Sequence, residues 1–275
     1  MRNRPPNLDQ AAEHIINILK QKLHADAIVI ATTDGFSDNR VVKAFNRQEP
    51  AARNGASLAE ITGSYAPDAF VSVPIFCAAD SVCGVIIAGG KPSFELQPDE
   101  LTLLESMAAM LGYEMELENE AVTDSLTALY NRRYLDNLLE HDEVPPAVLF
   151  IDLNDFKAVN DRFGHEAGDR LLEQISARLK SQAGSNDRII RYGGDEFLIC
   201  FGDRANESAI QTVRANIEKA FQQPFLIGDL TIPISASIGF SRKDDRQTDL
   251  RQLIVNADQS MYDSKRRYKK TFEDE

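Results

Sequence analysis

Two adjacent glycines, Gly193 and Gly194, stand between two hydrophobic runs, and this arrangement constrains the fold more than any other feature of the sequence. The run before them is RIIRY and the run after them is DEFLICF. Glycine tolerates positive φ angles, so the pair predicts a β-hairpin with a two-residue turn. Such a hairpin places two carboxylates, Asp195 and Glu196, at the start of its second strand.

A third carboxylate, Asp152, ends the apolar run AVLFID, where hydrophobic patterning alone does not place a charge. If that strand lies beside the hairpin, Asp152 and Asp195 can share a divalent cation whose other positions are filled by substrate phosphates. The alternative is an exposed acidic hairpin tip without a metal, which is common on protein surfaces. The residues alone leave both interpretations open.

The order of elements around this hairpin indicates an α+β sandwich with a mainly antiparallel sheet. A Gly-containing loop is expected after Asp152. The other elements follow from periodicity, with strands at 147–152, 188–192, 195–201 and 231–240, and helices at 168–181, 206–222 and 249–268.

The N-terminal part of the chain has its own set of elements, so we expect two domains, 1–119 and 120–275. Periodicity predicts helices at 8–23 and from Pro98 to about residue 120, and strands at 27–31, 41–45, 69–76 and 82–89, the last two forming a hairpin.

The helix that starts at Pro98 carries an apolar stripe, formed by Leu104, Ala108, Leu111 and Met115. The stripe is either the core face of the first domain or a coiled-coil seam that joins two copies of the chain. The sequence does not decide between these two interpretations.

Charge and cysteine content exclude several classes of protein. The net charge is −13, which argues against general binding to DNA or RNA. No apolar run approaches the ~20 residues of a membrane helix, so we expect a cytoplasmic protein without a membrane span. The odd number of cysteines, Cys77, Cys83 and Cys200, predicts buried thiols rather than a disulfide framework or zinc site.

Five motifs between residues 122 and 270 resemble the GGDEF family, the diguanylate cyclases. In chain order they are DSLTALYNRR, FIDLNDFKAVNDRFGHEAGD, RYGGDEF, SASIGF and ADQSMYDSK. The resemblance implies a cyclase-palm, ferredoxin-like fold and condensation of two GTP molecules into cyclic di-GMP, with release of pyrophosphate. It also implies Mg²⁺ or Mn²⁺ as cofactor and a homodimer, because each subunit binds one GTP and each 3′-hydroxyl attacks the other nucleotide's α-phosphate.

The same resemblance assigns roles to individual residues. Asp152 and the backbone carbonyl of Leu153 correspond to metal ligands. Asp195 corresponds to a metal ligand and the base for the 3′-hydroxyl, and Glu196 to a group that contacts metal or nucleotide. The substrate-binding positions are Asn160 and Asp169, which contact the guanine edge, and, around the phosphates, Phe156, Lys157, Gly193, Gly194, Lys265 and Lys269.

The sequence departs from the family pattern at several positions. Ala128 stands where the family has glycine, Asn154 where an acid is common, and Tyr268 where glycine is frequent. The family's product-inhibition site is an R-x-x-D segment, in which Gly184 here replaces the arginine and only Asp187 remains. Because phosphodiester recognition needs the guanidinium fork, we expect this inhibitory site to be non-functional.

Residues 8–119 resemble a GAF domain through three features: SVPIF, Gly84 within VCGVIIA, and F-x-x-x-x-D-E at 94–100. This resemblance implies a sensory domain that receives a small-molecule or protein signal and regulates the cyclase. The alternative function is a catalytically inert GGDEF module that acts as a GTP-binding or protein-interaction scaffold. The enzyme is favoured by the retained polar residues Asp152, Asp195, Glu196 and Lys265.

Overall fold

The chain divides into two compact units, Met1–Asn119 and Glu120–Glu275. The computed structural model describes residues 6–33, 39–46, 69–77, 81–90, 94–140, 144–184, 186–202, 207–243 and 249–273. Within these ranges, no helix combines the length and the apolar character that crossing a membrane requires.

Among the described residues of the first unit, two helices pack against one face of a four-stranded antiparallel sheet, whose strand order is β2-β1-β4-β3. One apolar cluster contains residues from both helices and from the inward face of β1, β3 and β4. The elements are α1 (Pro6–Lys22), β1 (Ala27–Thr33), β2 (Asn39–Asn46), β3 (Ala69–Cys77), β4 (Ser81–Gly90) and α2 (Pro98–Val122).

The apolar stripe of α2 is part of this core. Leu104, Ala108 and Leu111 are at most 2% exposed, and Met115 packs against the same cluster. The stripe therefore covers the sheet of the first unit and is not a seam available to a second copy. α2 approaches β3 so closely at Gly112 that any side chain there would collide with the carbonyl oxygen of Phe76.

The expectation of free thiols is wrong for two of the three cysteines. Cys77 and Cys83 form a disulfide with their Cα atoms 5.9 Å apart, while Cys200 is a buried free cysteine in the other unit. The β3–β4 hairpin brings the pair within the Cα separation that a disulfide needs. An odd count of cysteines did not reveal this pair, because the third cysteine belongs to a separate core.

The second unit is built on a four-stranded antiparallel sheet of order β10-β5-β7-β6, with a separate two-stranded ribbon, β8-β9. Its strands are β5 (Ala147–Leu153), β6 (Arg188–Arg191), β7 (Glu196–Cys200), β8 (Phe225–Ile227), β9 (Leu230–Ile232) and β10 (Ala236–Arg242). Its helices are α3 (Arg132–Glu140), α4 (Phe156–Phe163), α5 (His165–Gln182), α6 (Glu207–Ala220) and α7 (Leu250–Glu273).

Helices cover both faces of this sheet. One core joins alternate residues of β5 and β7 to α4, α5 and α6. The other core joins the remaining residues of the same strands to α3 and α7. β5 is buried along its whole length, and its sequence is accordingly apolar at every position except Asp152.

Two predicted elements differ from the structure. The expected loop after Asp152 contains α4, whose Phe156 and Val159 are buried at helical spacing. The predicted strand 231–240 is two strands in different sheets, β9 and β10, separated at Pro233. Proline has no N–H for the strand ladder, which explains the interruption.

Candidate functional site

Asp152 lies near the end of β5 on the face that α7 covers. Val148 and Phe150 occupy the same face and belong to the core beneath α7, so strand alternation fixes the direction of Asp152. Glu196 is the cross-strand partner of Asp152 on β7. Directly opposite residues of an antiparallel pair share a face, so the two carboxylates point the same way.

Lys265 reaches this pair from α7. The helix packs tightly on β10 at Gly239, where any side chain would collide with the backbone of Ala257 and Met261. The Lys265 Nζ donates a hydrogen bond to Asp152 Oδ1 at 2.5 Å. The side chain of Asp152 is 10% exposed, so the lysine compensates a largely buried negative charge.

The connection between β6 and β7 differs from the predicted two-residue turn. The N–H groups of Tyr192 and Gly193 both donate to the carbonyl of Glu196, which leaves a three-residue connection of Gly193, Gly194 and Asp195. Neither glycine has a positive φ. A Cβ at residue 193 would lie 2.5 Å from Glu196 Oε2, so a larger residue there would displace the Glu196 carboxylate.

The three carboxylates of this site repel one another. Burial and then the charge of Asp152 raise the pKa of Asp195 above its ordinary value. Burial, followed by the charges of Asp152 and Asp195, likewise raises the pKa of Glu196. A positive charge among these groups would favour their ionised forms.

The donor chemistry of this cluster fits a hard divalent cation such as Mg²⁺ or Mn²⁺, which prefers carboxylate and carbonyl oxygens. Asp152, Asp195 and Glu196 would supply carboxylates to such an ion, and Leu153 would supply a backbone carbonyl. Among the residues that the structure describes, no three acidic, histidine or cysteine side chains stand in a ready metal-binding arrangement. Here Lys265 provides the positive charge against Asp152.

A brace that sequence reasoning missed supports the hairpin. The Arg191 Nη1 donates to both carboxylate oxygens of Asp124 at 3.1 and 3.2 Å, and its Nη2 donates to the Gly194 carbonyl at 2.9 Å. Burial alone would raise the pKa of Asp124, but hydrogen bonds from Thr127 and Arg191 hold it below its ordinary value. The only sequence signal was an arginine beside the turn and an aspartate in the DSLT segment.

The two residues predicted to contact guanine lie on consecutive helices, Asn160 on α4 and Asp169 on α5. The Asn160 amide lies over Gly168, where any side chain would collide with it. Asn160 is half-buried and Asp169 is exposed. The structure thus places the amide beside the residue that precedes Asp169, at an edge open to solvent.

The first turn of α4 carries two other predicted positions. Phe156 is buried in the core, whereas Lys157 is exposed. Asp155 precedes them in a left-handed conformation with φ of 58°, and its carboxylate makes no capping bond to α4. It accepts a hydrogen bond from the Tyr268 hydroxyl at 3.3 Å instead.

The remaining departures have structural explanations. The Asn154 amide donates to Ser235 Oγ and accepts from Ser237 Oγ, so it joins β5 to the segment that leads into β10. Ala128 has a φ of 51°, a left-handed conformation that glycine adopts without strain. Lys269 lies within α7, but its side chain is outside the described residues.

Asp187, the remaining residue of the predicted inhibitory site, is engaged by the backbone. Its Oδ2 accepts from the Gly184 N–H at 2.7 Å, and its Oδ1 accepts from the Gly202 N–H at 3.0 Å. Both oxygens therefore hold the segment that leads into β6.

Comparison with known families identifies the second unit. The family model described as diguanylate cyclase, GGDEF domain, matches residues 121–271. The bifunctional diguanylate cyclase/cyclic di-GMP phosphodiesterase MucR of Pseudomonas aeruginosa is 39% identical over 157 residues, covering 54% of this chain and 23% of MucR. The diguanylate cyclase DgcP of Escherichia coli is 30% identical over 224 residues, covering 74% of this chain and 65% of DgcP. The chain thus spans less than two thirds of either relative.

Solved structures agree on the fold of this unit. The coiled coil and GGDEF domain of DgcB from Caulobacter crescentus, in complex with c-di-GMP, is 26% identical with a TM-score of 0.50, covering 62% of this chain and 95% of that one. The diguanylate cyclase SiaD in complex with its activator SiaC, from Pseudomonas aeruginosa, is 27% identical with a TM-score of 0.50, covering 61% and 70%. The mixed helix-and-sheet architecture of the second unit is that of the cyclase palm.

Proposed function

The chain belongs to the GGDEF family of diguanylate cyclases, and on that basis we propose that it condenses two GTP molecules into cyclic di-GMP and two pyrophosphates. The observation that carries the proposal is the group of carboxylates at one end of β5 and β7, which Lys265 reaches from α7. These residues combine the acidic and basic groups that phosphoryl transfer needs, since catalysis of this reaction is mainly positioning and electrostatic stabilisation.

The acidic groups have two roles in this proposal. Asp152, the Leu153 carbonyl, Asp195 and Glu196 would hold Mg²⁺ or Mn²⁺, which supplies positive charge to the triphosphate and to the phosphoryl group in transfer. Asp195 accepts the proton of the 3′-hydroxyl. Its raised pKa favours this role, because a general base works best when its pKa lies closer to the operating pH.

The nucleotide is held at two ends. The Asp169 carboxylate accepts from N1–H and N2–H₂ of guanine, and the Asn160 amide donates to O6 or N3. Phosphates lie along the backbone of Gly193 and Gly194, beside the first turn of α4, which contains Phe156 and Lys157. Lys265 and Lys269 stabilise the terminal phosphates as point charges.

The reaction needs two copies of the chain, because each copy presents one set of these groups and the product joins two nucleotides. We infer a homodimer in which the two sites face each other. Because GTP is held inside cells, the reaction takes place in the cytoplasm. The strongly negative net charge leaves no role for nucleic acid.

The first unit is proposed as a GAF-like sensory domain that regulates the cyclase in response to a small molecule or protein. An antiparallel sheet covered by α1 and α2 supports this assignment. α2 also supports it, because the helix begins in the first unit and ends at Val122 in the second, so one continuous element belongs to both.

The direct test is to incubate the purified chain with GTP and Mg²⁺ and identify the product by mass. We expect cyclic di-GMP, a rate per subunit that rises with protein concentration, and no product from Asp195→Asn. Asp136→Asn changes an exposed carboxylate on α3 and serves as the matched control with full activity. If the wild type and Asp136→Asn both bind GTP but form no product, the chain is an inert scaffold instead.

A further inference from the structure

We propose that Cys77 and Cys83 are a reversible redox pair whose oxidation state sets the rate of the cyclase through α2. The activity part of this proposal rests on the proposed function. The redox pair itself rests on the disulfide that joins β3 to β4 in the first unit.

The disulfide lies against α2. Cys83 Sγ is 3.9 Å from Met115 Sδ, and Cys77 Sγ is 3.9 Å from the Gly112 carbonyl oxygen. Gly112 is also the point where α2 approaches the Phe76 backbone too closely for a side chain. Breaking the bond adds two thiol hydrogens and changes the sulfur positions at a contact that has little free space.

A purely structural role explains the disulfide poorly. β3 and β4 are already paired along their length by backbone hydrogen bonds, and the two cysteines are six residues apart. A disulfide that closes so short a loop constrains the unfolded chain less than one that closes a long loop. In the cytoplasm, where we place the reaction, disulfides are usually transient, catalytic or redox-sensing, and this favours a redox role for the pair.

Small reagents can reach this bond. Both cysteines are partly exposed, and Cys77 lines an open groove of about 440 Å³ beside Phe76 and Tyr113. Glu105 and Glu116 line the same groove. Their charges repel anionic thiols, so a neutral dithiol is the reductant that the groove favours.

The third cysteine does not take part. Cys200 is 1% exposed, and burial raises the pKa of its thiol to about 12. The thiolate is the reactive form, so Cys200 is inert near neutral pH. Reduction should therefore create two reactive thiols in the chain.

The chemistry balances with a dithiol as reductant. One thiolate of the reagent attacks a sulfur of the Cys77–Cys83 bond, which breaks to give a mixed disulfide and one protein thiolate. The second thiol of the reagent then displaces the other cysteine, and the reagent leaves as a cyclic disulfide. The protein gains two electrons and two protons, and the oxidised reagent drives the reverse exchange.

A short stretch of backbone and two hydrogen-bonded contacts link α2 to the catalytic hairpin. α2 runs without interruption to Val122, and Asp124 follows two residues later. The Asp124 carboxylate holds Arg191, which holds the Gly194 carbonyl next to Asp195. A change in how α2 is held near Gly112 can therefore alter the position of a group proposed for catalysis.

The experiment compares the full-length protein equilibrated with reduced or oxidised dithiothreitol. Alkylation followed by intact mass should count two more modified thiols in the reduced protein, and reoxidation should remove them. Cyclase rate should differ at least three-fold between the two forms. Cys77→Ser and Cys83→Ser should each stay at the rate of the reduced form in both buffers, whereas the matched control Cys200→Ala should still respond.

A second measurement separates failure of this proposal from failure of the proposed function. Amide hydrogen exchange at residues 108–116 should be faster in the reduced wild type than in the oxidised one. If neither form makes product, the cyclase assignment fails, and a redox-dependent exchange rate still supports the switch. Equal exchange rates, equal cyclase rates in an active protein, or a bond that does not reduce and re-form would each overturn the redox proposal.

Discussion

Replacing Asp195 with asparagine should make the second unit more stable while it removes cyclase activity. Burial and the neighbouring Asp152 charge raise the pKa of Asp195, so the folded state disfavours its ionised form. The asparagine keeps the shape and removes the charge. A residue that lowers stability is retained where function requires it, because activity and stability often conflict at functional sites.

The size and the pH dependence of this effect follow from the sign of the pKa shift. With a raised pKa in the fold, ionised Asp195 destabilises the unit above that value, and the cost disappears below the unfolded-state pKa. At neutral pH the gain should be on the order of 1 kcal/mol, the usual scale for optimised charges. For a unit of this size that corresponds to a rise in Tm of about 2–4 °C.

The assay is thermal unfolding of wild type, Asp195→Asn and the exposed control Asp136→Asn, without nucleotide or divalent cation, at pH 8 and at pH 4. The variant should exceed the wild type at pH 8, and the difference should shrink towards zero at pH 4. The control should follow the wild type at both values. An Asp195→Asn protein that is less stable than the wild type at pH 8 would show that Asp195 has a structural partner, and would refute the argument from repulsion.

Three further predictions concern residues around the site. Ala128→Gly should raise the free energy of unfolding by about 0.5 kcal/mol in urea, because relief of left-handed strain, about 1 kcal/mol, exceeds the cost of a more flexible unfolded chain. Asp124→Asn should lower it by about 1–2 kcal/mol at pH 7 through the weakened bond to Arg191. That loss should fade in acid. The lowered pKa of Asp124 stabilises the folded state above the ordinary aspartate pKa, and this stabilisation is lost as the pH falls through the lowered value. Asp169→Ala should cut GTP turnover at least several-fold with unchanged Tm, a loss of about 1–3 kcal/mol in binding, and equal turnover of GTP and ATP by the wild type would contradict the guanine assignment.

The position of the acidic cluster was predictable because strand alternation is a local property. AVLFID reads as a buried strand, and its final carboxylate falls on the same face as Val148 and Phe150 whichever neighbour covers it. The hairpin also followed from two apolar runs around glycines. Both inferences need only the sequence period and the position of the glycines, although the predicted two-residue geometry of the turn was wrong.

The features that sequence reasoning missed depend on contacts between distant residues. The connection at Gly193 is held by the hydrogen bonds to the Glu196 carbonyl and by Arg191, which donates to the Gly194 carbonyl. Neither glycine has a positive φ. The brace from Arg191 to Asp124 spans 67 residues of sequence. The stripe of α2 had the same spacing under either interpretation, and only its burial against the sheet decided between them.

The two ion pairs near the hairpin differ in a way that separates structure from function. Asp124 accepts hydrogen bonds from Arg191 and Thr127, which satisfy its charge and hold its pKa below the ordinary value. Asp152 has Lys265, yet its charge still raises the pKa values of two neighbouring carboxylates. Lys265 and Arg191 both act on Asp195, yet its pKa stays raised, so these two cations do not balance the three acids at this end of the sheet. Positive charge from a bound cation, with nucleotide phosphates to engage Lys265, is what would balance them.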